Sequence, residues 1–108
     1  MCLTIIDRYY IMRNERNSEI LRFGINVIIL DSARKHGLSD DDMLKVINDP
    51  TVSYLINSET DKRLLLGFDT KARAIEVITD TGADGQVFVI HADKITKQYE
   101  KLLEEVLK

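Results

Sequence analysis

Two histidines, His36 and His91, are the side chains of this chain whose ordinary pKa lets them take up and release protons near neutral pH. His91 is the stronger acid/base candidate. It ends the apolar run Val87–Ile90 just before a helical segment, on a strand face shared with Val87 and Val89. A second reading keeps it as a ring hydrogen-bonded to a neighbouring carbonyl. His36 follows Arg34 and Lys35 in the run ARKHG, and these three also read as cations at the negative end of a helix dipole. Cys2 is the only cysteine, so no disulfide framework is expected, and with two histidines no structural zinc site either. No GxGxxG, Walker A, HExxH or GxSxG pattern occurs. Asp40, Asp41 and Asp42 are successive helix positions that project in different directions. They read as partners of a helix N-terminus rather than as a cation site. No cofactor is implied.

The elements that must position these residues follow from pattern. At 108 residues, 44% hydrophobic and 31% charged, with one proline and five glycines, the chain reads as one globular domain over 1–108. No apolar stretch approaches the roughly 20 residues that span a bilayer, and the first residues lack the pattern of a signal peptide, so a cytoplasmic protein is expected. The net charge of −3 argues against general electrostatic attraction to nucleic acid. Residues 39–61 carry one Lys against six Asp/Glu, while 1–38 carry six Lys/Arg against four acids, so a local cationic site stays open.

Residues 1–24 read as an N-terminal extension or hairpin, with 3–12 and 18–24 pairing around the polar NERN. Residues 25–37 are expected to form a helix closed by Gly37. Ser39, followed by three aspartates, signals the start of a second helix that Pro50 ends. Alternation then predicts strands around 52–57, 63–69, 74–81 and 86–92, joined by connections short enough to make antiparallel neighbours. The unbroken apolar run of the last strand suits a central position. Ile95, Tyr99, Leu102, Leu103 and Val106 mark a closing amphipathic helix. The fold class is therefore α+β, an antiparallel sheet of about four to six strands with helices packed on it.

Ser32–Leu38 (SARKHGL), Asp42-Met43-Leu44, Pro50, Leu66-Gly67, Ile75-Glu76-Val77 and Val89-Ile90-His91-Ala92 occur in that order. Together they resemble the BrnT-like toxins of bacterial type II toxin–antitoxin systems, within the RelE/ParE superfamily, over about residues 32–99. The resemblance implies a small mixed sheet with helices on one side and a toxin-like core over 25–108. It also implies metal-independent RNA cleavage that stops translation and growth, and neutralisation by a cognate antitoxin. The RNA would be free or ribosome-associated, and a homodimer is a further option.

Such cleavage needs a base for the 2′-hydroxyl, a cation for the phosphate and an acid for the leaving oxygen. His91, His36 and Lys35 are the catalytic candidates, with Lys35 as phosphate clamp or as a solvated cation. Arg63 opens a strand and could grip phosphate in bidentate fashion, or form a turn salt bridge with Asp61 or Glu59. Arg34, one position before Lys35, is a further phosphate-binding candidate, although neighbours on a helix do not share a face. Lys94, Lys97 and Lys101 form a stripe that reads either as an RNA contact or as a solvated face with Asp93–Lys97 and Lys101–Glu105 pairs. Arg73 reads as solvated. The alternative to the enzyme is a non-catalytic interaction module on the same scaffold, self-associating or binding an antitoxin-type partner.

Overall fold

A computed structural model describes residues 2–6, 9–13, 18–22 and 25–108, with side chains from Val27 onward. The chain begins as an antiparallel meander of four strands, β1 (Cys2–Ile6), β2 (Tyr9–Arg13), β3 (Ser18–Arg22) and β4 (Ile25–Ile29). The expected pairing is present between β2 and β3, the NERN expected to turn between them lies outside the described residues, and the stretch 3–12 divides between two strands rather than forming one.

The helix expected over 25–37 is a correction. Ile25, Val27, Ile28 and Ile29 are β-branched, stiff at χ1 and better placed on a pleated surface. They form β4, and the helical conformation is confined to α1 (Asp31–Arg34). Gly37 does close this segment at φ +83°, a conformation that L side chains rarely adopt. α2 (Asp40–Asn48) starts as read, with the Ser39 hydroxyl accepting the Asp42 N–H at 3.2 Å.

Past Pro50 the chain forms β5 (Val52–Asn57), β6 (Lys62–Phe68), β7 (Ala74–Thr81) and β8 (Val87–Lys94), each antiparallel to the one before, and ends in α3 (Lys97–Leu107). β8 returns beside β4 and pairs with it in parallel through Val27↔Val87, Ile28↔Phe88 and Ile29↔Val89. The sheet order is β1-β2-β3-β4-β8-β7-β6-β5, so β8 is interior. The α+β class stands and the sheet is mostly antiparallel. The five strands β4 to β8 make a mixed sheet, and β1 to β3 extend it to eight.

Successive side chains on a strand point to opposite faces, and both faces are filled. On one, Met43, Leu44 and Val46 of α2 and Ala33 of α1 pack with Val27, Ile29, Leu65, Ile75, Val77, Val89 and Ala92. On the other, Leu103 of α3 packs with Leu64 and Leu66, joined by Ile78, Ile95, Tyr99 and Leu102. Helices therefore cover both faces, whereas one side was expected. Val106, read as part of the apolar stripe, is exposed.

Polar contacts lock α2 to the β6–β7 turn. Asp42 Oδ1 accepts the Thr70 N–H at 2.9 Å and hydroxyl at 2.6 Å. Lys45 Nζ donates to the carbonyls of Phe68 and Asp69. The buried Asp69 carboxylate accepts the backbone N–H of Lys71 and of Arg73 and the Arg73 Nε–H, all at 2.8 Å. Arg73, expected to be merely solvated, is thus tied down. Burial pushes the Asp69 carboxyl up, but the N–H donors of Arg73 and Lys71 and the Arg73 guanidinium outweigh it and hold the carboxyl below its ordinary value. Asp42 is lowered in the same way, its Thr70 and Ser39 bonds overcoming burial and the nearby Asp69 charge.

A carboxyl lowered by folding stabilises the fold above its unfolded pKa of about 4, and that stabilisation is lost as the pH falls through the folded value. Urea unfolding is expected to show stability falling below about pH 5, with a shallower fall in Asp69→Ala. At neutral pH the same variant should lose about 2–4 kcal/mol, because three donors are left without their acceptor.

Candidate functional site

The site forms where β8 outruns its parallel neighbour. β4 stops pairing at Ile29↔Val89, and the chain turns into α1 across the end of β8. There the Leu30 N–H donates to the Val89 carbonyl at 3.1 Å, and the Ser32 hydroxyl donates to the Ile90 carbonyl at 2.8 Å. This brings the loop after α1, with Lys35 and His36, to the second half of β8.

The register between β7 and β8 shifts at this point. Thr79 lies opposite Val89, but Ile78 lies opposite His91, so Ile90 is an extra residue in β8. A one-residue bulge inverts the alternation. His91 therefore stands on the face of Ile78 and Glu76, not on the face of Val89 and Val87 as the simple alternation predicts.

On that face His91 Nε2 lies 3.0 Å from Glu76 Oε2. Glu76 is almost completely buried, at 4% side-chain exposure, while His91 keeps 29%. The other Glu76 oxygen, Oε1, accepts the Thr96 N–H at 2.7 Å, one residue ahead of α3. His36 stands edge-on to His91, with ring centroids 5.6 Å apart and planes at 75°. Its Nδ1 lies 3.5 Å from Asp93 Oδ2, a longer contact than the His91–Glu76 pair. Two partly exposed imidazoles are thus each backed by a carboxylate. A carboxylate partner fixes ring orientation and tautomer. With Glu76 ionised, the His91 Nε2 carries a proton toward it and Nδ1 is left as an acceptor. Such a pair can take one proton and give another across a small bound group.

Among the described residues, no group of three or more His, Cys, Asp or Glu is placed to hold a metal ion. No described helix is long and apolar enough to cross a membrane. An open pocket of about 510 Å³ lined by Leu30, Phe88, Ile90, Asp80, Thr81 and Glu59 includes neither histidine in its wall.

The other candidates divide. Lys35 is exposed beside His36 in sequence. Arg34 is engaged in a bidentate contact with Asp40, Nε to Oδ1 at 3.0 Å and Nη2 to Oδ2 at 3.1 Å. Those bonds hold its guanidinium above its ordinary pKa against the opposing effect of burial. Arg63 forms the turn salt bridge with Asp61, at 3.0 Å. It lies opposite Thr79 on β6, two strands from β8 and on the face away from His91. Lys94 is exposed at the end of β8, not on the helix, and Lys97 is exposed at the start of α3. Asp93 contacts His36 instead of Lys97.

Glu76 and Asp93 are the site residues that sequence reasoning missed. No local signal marked Glu76: between Ile75 and Val77 a carboxylate reads as the outward residue of a half-buried strand, and it is buried because α3 covers that second face. Comparison with protein-family models, with curated proteins and with solved structures returns no match.

Glu76→Ala should cost about 2–3 kcal/mol in urea unfolding, since it strips the Thr96 N–H and the His91 ring of a buried acceptor. Glu76→Gln, which keeps an acceptor oxygen, should recover part of that loss. Equal stability of Glu76→Ala and wild type would show the carboxylate to be dispensable.

Proposed function

We propose that this chain is a toxin-like endoribonuclease that acts in the cytoplasm, cutting RNA without a metal ion and so arresting translation and growth. A cognate antitoxin protein would hold it in check. The observation that carries this reading is the His36–His91 pair at 5.6 Å, each ring backed by a carboxylate. The order of motifs shared with BrnT-like toxins supports the same reading.

In this reading His91, oriented by the buried Glu76, takes the proton of a 2′-hydroxyl. The 2′-oxygen attacks the adjacent phosphorus, and the bond to the 5′-oxygen breaks. His36, protonated beside Asp93, gives its proton to that leaving oxygen. The products are a 2′,3′-cyclic phosphate and a 5′-hydroxyl, and the two histidines exchange protonation states. Lys35 is the exposed cation next to this pair, suited to the charge that gathers on the phosphate. Arg34 and Arg63 are already paired with carboxylates, so the phosphate contact falls to the lysines 35, 94 and 97.

The test uses the purified full chain on single-stranded RNA in the presence of a chelator. Cleavage is expected, with cyclic-phosphate ends and a bell-shaped pH profile. His91→Ala and His36→Ala should each lose about 100-fold or more of the rate, while Arg63→Ala stays close to wild type. Induced expression in a bacterial culture should stop growth with the wild-type chain and not with His91→Ala. Intact RNA together with normal growth would overturn the reading.

A further inference from the structure

The longest stretch of this sequence without a charged residue is Pro50–Ser58, nine residues between Asp49 and Glu59. The next longest are Phe23–Leu30 and Gly85–Ala92, eight residues each with His91 counted neutral. The first contains β4 and the second the first six residues of β8, and these strands lie side by side in the middle of the sheet. There both strand edges are paired, which is the setting in which uncharged strands belong. The nine-residue stretch contains β5, which is the last strand of the sheet. β5 thus has the composition of an interior strand and the position of an edge.

Its exposure shows the same mismatch. Only Val52 is partly covered, and every residue from Ser53 to Asn57 is exposed. Tyr54 is 59% exposed, Leu55 42% and Ile56 43%. Half of the exposed large hydrophobic residues among those described are therefore three consecutive positions of one strand. No lysine, proline or inward charge protects the edge within Val52–Asn57; the one irregularity is the register shift against β6 at Ile56, past Leu55.

We infer that β5 is completed by β5 of a second copy of this chain, joining the two sheets through an antiparallel pair. An unpaired edge calls for an extended strand, because only a strand satisfies its outward N–H and C=O groups. The lack of charge in β5 fits its own copy. In a two-fold antiparallel pair the residues at and beside the axis meet their own copies, so a charge there would meet a like charge, directly or diagonally. A two-fold axis through Leu55, the last position before the register shift, sets the two Leu55 side chains together and the two Tyr54 side chains on the diagonal. Aromatic pairs are a favourable cross-strand combination. The histidine pair lies near the opposite side of β8 and takes no part in this contact.

The test is the oligomeric state of the full chain by sedimentation velocity over a concentration series. A concentration-dependent dimer is expected. Leu55→Lys should weaken it about 10-fold or more, because two ammonium groups would face each other across the axis. Val106→Lys, an exposed apolar position on α3, should leave it unchanged. Circular dichroism melts of both variants should match wild type at concentrations low enough for wild type to be monomeric, since both positions are exposed. Independently of those variants, Leu55→Cys in a Cys2→Ser background should form an intermolecular disulfide on mild oxidation. The Cα atoms of directly opposed residues lie at about 4.5–5.5 Å, within disulfide reach. Thr70→Cys in the same background should not cross-link. A wild-type chain that stays monomeric at the highest concentration would overturn the inference, and so would a dimer that survives Leu55→Lys without a Leu55→Cys cross-link. Neither readout depends on RNA cleavage.

Discussion

A carboxylate in the middle of β7 holds the functional end of this molecule together. Glu76 stands between Ile75 and Val77, with helices packed on both faces of the sheet, where an unpartnered charge would be strongly unfavourable. It is tolerated because each oxygen has a role. One accepts the N–H of Thr96, which fixes where α3 begins, and the other meets the ring of His91. The same group therefore ties together β7, β8 and the last helix, and aims an imidazole. Its burial also makes the arrangement rigid, since neither neighbour can leave without exposing an unmatched partner.

The extra residue at Ile90 is what makes that contact available. A strand that continued in register would turn His91 to the face of Val89, into the layer of α1 and α2. The bulge sends it to the face of α3, within reach of Glu76. It falls where β4 ends and where Ser32 bonds the Ile90 carbonyl, so the end of the parallel pairing, the start of α1 and the inversion of the face coincide. His36 reaches the same place because α1 has only four residues and its start is bonded to β8 through Leu30 and Ser32. The residues that the reading treats as catalytic thus come from one loop and one strand end, supported by carboxylates on β7 and β8.

Much of the fold was legible because its signals are local. The serine ahead of three aspartates, the alternation from Val52 to Ala92 and the period of the last helix each depend on neighbours a few residues away, and each element formed close to where it was read. The exception is instructive. Residues 25–29 are followed by a good helix ending, ARKHG, and the apolar run ahead of it was absorbed into that helix. β-branching at four of the five positions argued for a strand. The parallel pairing with β8, more than fifty residues later, decided the matter.

The candidate site was legible only in part, for a related reason. His36 and His91 were identifiable by chemistry alone, and the competing readings of Arg63 turned on carboxylates close in sequence, of which Asp61 is its partner. What brings His36 to His91 is a separation of 55 positions bridged by a parallel strand pair, and no local pattern encodes it. The face of His91 depends on one unpaired residue in a register, and Glu76 acquires its partners only when β8 and α3 lie against β7. The sequence by itself determined the elements, the α+β class and the residue types able to move protons, because periodicity and side-chain chemistry are properties of short stretches. Tertiary structure alone decided which face each residue took and which carboxylate met which imidazole, because register and strand order are set by packing across the whole sheet.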